Sequence, residues 1–117
     1  MKKIIISADK NFNNYIHLKM YMDLNITNIN PEYITEIITE KETKAGHMAR
    51  EYAHEQLFPE TSFELNRAAY GSRAELIRNE EMVDYADALI IFTNETNEPH
   101  LLTLAKRKNK EYYVVNY

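Results

Sequence analysis

The chain has 117 residues, the span of one compact domain, and its 18 Asp and Glu outnumber its 14 Lys and Arg for a net charge of −4. That balance excludes the counterion-releasing grip of a sequence-independent nucleic-acid binder. The absence of cysteine excludes disulfides, thiolate catalysis and sulfur-ligated zinc, and fits a reducing, cytoplasmic location.

Met1-Lys2-Lys3 precede an apolar run too short for a signal peptide, which needs about 7–15 apolar residues. Nothing approaches the ~20 apolar residues of a membrane span, so no membrane partner is expected. Lys3 to Ala8, with Ile4, Ile5 and Ile6 adjacent, predicts a strand covered on both faces. Asn11, Asn13 and Asn14 supply turn and N-cap chemistry. Tyr15, Leu18 and Met22 then recur at helical spacing, widened by Ile16 and Met20, until the Asn-rich segment from Asn25 to Pro31. Tyr33 to Thr39 reads as a second strand. Ala45, Met48, Ala49, Tyr52 and Ala53 predict an amphipathic helix that Pro59 ends.

Ser62 to Asn66 alternates as a short third strand. Ala74 to Ala86 predicts a helix with Ile77, Met82 and Tyr85 inward, and Ala88 to Thr93 a second fully buried strand. Pro99 suits a helix start, Leu101, Leu104 and Ala105 give that helix its apolar face, and Glu111 to Asn116 closes the chain as a strand. Strands and helices alternate from end to end, which selects a parallel sheet with right-handed crossovers. The expectation is one small doubly wound, Rossmann-like α/β domain over residues 1–117, with about five mostly parallel strands and helices on both faces. Ligands of such sheets sit outside the carboxyl ends of the strands where strand order reverses. With the first and fourth strands as neighbours, that crevice is lined by Ala8 to Asn11 and Thr93 to Asn97.

The loops at that edge are poor in glycine, of which the chain has two, Gly46 and Gly71. The first turn reads Ser7-Ala8-Asp9-Lys10-Asn11, with an anion where a phosphate would seek N–H donors, which disfavours an ordinary dinucleotide site. Glu40 to Lys44 and Asn94 to Glu98 read as solvated loops capping strands. Arg78 has the fork to hold a phosphate or carboxylate, and Asn79 the amide to read a base or ribose edge. The same residues suit a helix surface laced by pairs such as Glu75 with Arg78, and residue types alone favour that reading. His47 and Glu51 have metal-compatible spacing without the two-His pattern, so no metal site is expected. No catalytic constellation can be argued from spacing. Nine tyrosines, Tyr112, Tyr113 and Tyr117 among them, could furnish a contact surface.

Arg78-Asn79-Glu80-Glu81-Met82 leading into Tyr85-Ala86-Asp87-Ala88-Leu89-Ile90, with Lys3 to Ser7, Asn11-Phe12-Asn13, Met48 to Ala53 and Tyr70-Gly71, resembles the YspA-type branch of the SLOG superfamily. Those are Rossmann-like domains that bind nucleotides or nucleotide derivatives, and they commonly oligomerise. The chain departs from the family's glycine loops. Ala8-Asp9-Lys10 stands where the family has Gly-Ser/Thr-Arg, and Glu40 to Gly46 stands where it has a glycine-rich loop. A Cβ at such positions blocks close backbone approach, and added carboxylates repel phosphate.

The resemblance therefore implies a kept scaffold and a lost phosphate cradle. It leads to the expectation of a non-enzymatic interaction or inhibitory module with a protein partner and no cofactor. Its size and erosion suit a bacteriophage or mobile-element product that counters host defence. The alternative is a binder of a nucleotide-type small molecule through a re-shaped crevice of Asp9, Lys10, Asn11, Arg78, Asn79 and Asn97. Two-fold pairing into a homo-oligomer is expected from exposed helix faces.

Overall fold

The computed structural model describes residues 1–32 and 34–117, so the predicted strand start at Tyr33 lies outside the described residues. Five strands make one sheet: β1 (Lys2–Ala8), β2 (Thr35–Glu40), β3 (Glu60–Phe63), β4 (Ala88–Phe92) and β5 (Glu111–Val115). Their order is β3-β2-β1-β4-β5, and every pairing is parallel. Between them run α1 (Tyr15–Ile29), α2 (Lys44–Gln56), α3 (Arg67–Tyr70), α4 (Ala74–Tyr85) and α5 (His100–Arg107), with a 3-10 turn at Gly71–Arg73 joining α3 to α4. This is the small, doubly wound Rossmann-like fold, and strand order reverses between β1 and β4.

Alternation along each central strand builds two cores. Ile4, Ile6, Ile37, Ile90 and Phe92 face one side with Leu18, Met22, Ala49 and Tyr52, from α1 and α2. Ile5, Ile38, Leu89 and Ile91 face the other with Met82, Val83, Leu101 and Leu104, from α4 and α5. The adjacent isoleucines of β1 therefore feed both layers, each contributing about 1.5–3 kcal/mol by full burial.

Helix boundaries follow caps and packing. The Asn14 side chain accepts from the His17 N–H at 3.0 Å and starts α1, and Thr43 accepts from Gly46 N–H at 2.9 Å to start α2. α1 continues past the predicted break at Asn25, because Ile26 packs against the core and Ile29 is buried in it. Asn30 then donates to the Ile34 carbonyl and the Thr35 hydroxyl, fixing the turn into β2.

β3 begins at Glu60 rather than Ser62. Pro59 does not end the pairing there, since its carbonyl accepts from Ile37 N–H at 2.9 Å. Its missing N–H costs nothing on an edge strand. The helical turns between Arg67 and Arg73 had no periodic signal in the sequence. Among the described residues no helix is long and apolar enough to cross a membrane.

Candidate functional site

The carboxyl ends of β1 and β2 open onto a crevice of about 520 Å³, bounded by Ala8 to Asn11, by Glu40 and Glu42 to Ala45, and by Leu65, Glu75 and Arg78. A smaller extension of about 210 Å³ runs past Ser7 and Asn79 to Glu95, Pro99 and His100. The crevice lies at the predicted edge, but mainly on the β2 side of the switch point. Of Thr93 to Asn97, only Glu95 lines it.

Arg78 and Asn79 correct the surface reading. They are 4% and 3% exposed, in a helix register that turns both inward beside Met82. The partners of Arg78 come from the β2 end: Nη2 lies 3.3 Å from Glu40 Oε2 and Nη1 lies 2.8 Å from Glu42 Oε1. Its Nε donates to Asn79 Oδ1 at 3.3 Å. Asp84, on the exposed side of α4, pairs with Lys108.

The network continues in both directions. Ser7 Oγ donates to Glu40 Oε1 at 2.6 Å, joining β1 to β2 beneath the crevice floor. Asn79 Nδ2 faces His100 Nδ1 at 3.1 Å. With Asn79 Oδ1 already accepting, the amide Nδ2 is the group that donates in this contact, to a ring nitrogen in its acceptor tautomer.

Burial raises the Glu40 carboxyl above the ordinary glutamate range, opposed by the Ser7 hydroxyl and the Arg78 guanidinium and reinforced by Glu75. One guanidinium serves two carboxyls here, so a proton on Glu40 relieves the excess negative charge. All three Arg78 nitrogens are engaged from within the chain. With Nη1 and Nη2 each held by a carboxylate, an incoming phosphate competes with Glu42 and Glu40 for the fork. Glu42 is the more exposed of the two, its side chain being 37% exposed against 9% for Glu40, and its Oε2 also accepts from Leu65 N–H at 2.7 Å.

The first turn is closed in a different way. Asp9 does not extend into open space, because its Oδ2 accepts from Asn94 N–H at 2.8 Å and from the Tyr117 hydroxyl at 3.1 Å. Its backbone N–H donates to the Phe92 carbonyl at 2.9 Å. The Tyr117 ring meets Phe12 edge-on at 4.8 Å, and Phe12 stacks on Phe92 at 5.0 Å. Asp9 therefore ties the β1 turn to the β4 loop and the last residue.

Lys10 and Asn11 are exposed and line the crevice, whereas Asn97 is exposed on the β4–α5 loop and lines neither part. In the larger part, Asp9, Glu40, Glu42 and Glu75 face Lys10, Lys44 and Arg78. The smaller part adds Glu95. Counted as ionised, four carboxyls against three cations leave the larger part acidic by one charge, which a proton on Glu40 would cancel, so the lining offers a polyphosphate no net attraction.

Gly46 has a packing role that the loop reading missed. A Cβ there would stand 1.6 Å from the Glu40 carbonyl oxygen, so the first turn of α2 presses directly on the end of β2. Sequence reasoning also passed over Ser7, Glu40, Glu42 and His100 as site residues. The available signal was Glu40 itself, a carboxylate closing the apolar run Ile37-Ile38-Thr39, where burial demands a partner. His47, Glu51 and His54 are exposed on α2. Among the described residues, no group of three or more His, Asp or Glu side chains could hold a metal ion. Comparison with protein-family models, with curated proteins and with solved structures finds no match.

Proposed function

We propose that the chain is a non-enzymatic interaction module on a SLOG-like, nucleotide-binding type of scaffold whose anion cradle is plugged by its own carboxylates. The observation that carries this reading is the clamp on Arg78: the cation best suited to hold a phosphate is buried and held by Glu40 and Glu42. The acidic rim and two exposed tyrosines, Tyr117 at the β1 turn and Tyr70 in α3, offer the surface for a protein partner. Inhibition of a host-defence protein by a bacteriophage or mobile-element product is the role in which such a module fits.

A second reading, binding of a nucleotide derivative, is favoured by one feature. Lys10 and Lys44 line the open crevice and enter no ion pair among the described residues. Thermal unfolding with a panel of nucleotides and nucleotide sugars separates the two. A ligand at a hundred times its Kd stabilises by about 2.7 kcal/mol. The plugged cradle gives no shift in the wild type, while Glu42→Ala frees one arm of the Arg78 fork and brings weak stabilisation by inorganic phosphate. A wild-type shift that Arg78→Ala abolishes would overturn the interaction reading in favour of the second.

A further inference from the structure

We propose that β5 is a docking edge, to which an extended acidic segment of a partner protein adds as a sixth strand. This takes the interaction reading to a second surface and rests on it only in treating the chain as a binder of proteins. A nucleotide in the crevice would leave it standing.

Parallel pairing turns alternate residues of β5 toward β4. Thr93 N–H donates to the Val115 carbonyl at 2.9 Å, so Glu111, Tyr113 and Val115 point their main-chain groups inward. Tyr112 and Val114 point theirs outward, past the end of the sheet, where no other strand of the chain meets them. Their side chains share one face of the strand, and each is 43% exposed.

Proteins ordinarily blunt such an edge with Pro, Lys or a very short strand. β3, at the other edge, follows that rule. It has four residues, starts after Pro59, and its Glu60 and Ser62 side chains hydrogen-bond with the Thr39 hydroxyl. β5 has neither Pro nor Lys, and its one carboxylate, Glu111, is held by Lys2 and Tyr113.

Charge selects the occupant. The chain has a net charge of −4, yet Lys106 to Lys110 reads Lys-Arg-Lys-Asn-Lys with no anion. Glu98 and Asp84 pair with Lys106 and Lys108, while Arg107 and Lys110 enter no ion pair among the described residues. Lys110 borders a hollow of about 510 Å³ at the head of β5, with Lys106, Asn109, Tyr112 and the already paired Glu111. Antiparallel pairing is the more stable per residue, and it brings the carboxyl end of an added segment to that hollow. The segment that fits has β-branched side chains at alternate positions, against Tyr112 and Val114, and then Asp or Glu. A second copy of β5 ends in Val115-Asn116-Tyr117 and brings no acidic side chain there.

The probe is a fluorescein-labelled, carboxyl-amidated peptide, Lys-Thr-Val-Thr-Val-Thr-Glu-Glu, followed by fluorescence anisotropy with the protein titrated to about 1 mM. So small a contact falls well below the ~1,600 Å² of a standard interface, and the expected Kd is on the order of 100 µM. Lys110→Glu raises it about tenfold, as does Lys-Lys in place of the peptide's Glu-Glu. Methylating one alternate set of peptide amides abolishes binding, while methylating the other set leaves it. Val114→Pro lacks an N–H that faces outward, so it spares the β4 ladder, keeps the far-UV circular dichroism and loses the peptide. No binding at the highest concentration, binding indifferent to Lys110→Glu, or equal loss from both methylated sets would overturn the proposal.

Discussion

At the amino end of the sheet Lys2 lies 2.9 Å from Glu111, and at the carboxyl end Arg78 lies 2.8 Å from Glu42 and 3.3 Å from Glu40. The distances are alike, but the surroundings are not. Lys2 and Glu111 keep 22% and 40% of their side-chain surface in water, whereas Arg78 and Glu40 keep 4% and 9%. Water screens the first pair, so it contributes little. The second has exchanged hydration for internal partners, and each member depends on the others. Similar ion pairs thus fasten the fold lightly at one end and hold a buried electrostatic knot at the other.

The contrast breaks most sharply at Arg78. Arg78→Ala leaves Glu40 buried without its cation and costs about 3–5 kcal/mol in urea unfolding. A loss below 1 kcal/mol would mean that the knot is solvated. Combining Arg78→Met with Glu40→Gln removes both charges and recovers most of that loss.

A smaller effect comes from pH. A carboxyl whose folded pKa is raised binds its proton more tightly in the native state, so its contribution to stability falls as pH rises above the ordinary value of 4.5. Glu98 works with the opposite sign. Its pKa is held down by hydrogen bonds from Lys106 and Thr103, and that contribution disappears on acidification. Stability curves against pH should therefore show a falling component above 4.5 that Glu40→Gln removes. A curve unchanged by Glu40→Gln would place the proton elsewhere. The smallest effect is expected at Lys2→Ala, about 0.2–1 kcal/mol and weaker still in high salt.

The architecture was written locally. Adjacent isoleucines in β1, the helical spacing in α2 and the apolar run of β4 each state their own conformation, and alternation then dictates a parallel sheet. What stayed hidden depends on residues distant in the chain. Arg78 reads as a surface arginine because Glu75 and Asp84 stand near it in sequence, while its partners are 36 and 38 positions away. Asp9 reads as an anion open to the crevice because its donors, Asn94 and Tyr117, arrive 85 and 108 positions later. The extra length of α1 came from tertiary packing of Ile26 and Ile29 overriding weak propensity.

Contact between Gly46 and the Glu40 carbonyl leaves no room for any other residue at the start of α2. Strand end, capping threonine and first helical turn on the β2 side are in direct contact, and a side chain at Gly46 would meet Glu40 backbone and the Thr43 hydroxyl. Across the gap, Gly71 sits at φ +56° with nothing within 4 Å of where a Cβ would point, and it links α3 to the helix that carries Glu75 and Arg78. The two glycines therefore serve opposite needs: at Gly46 a side chain has no space, and at Gly71 it has space but an unfavourable φ.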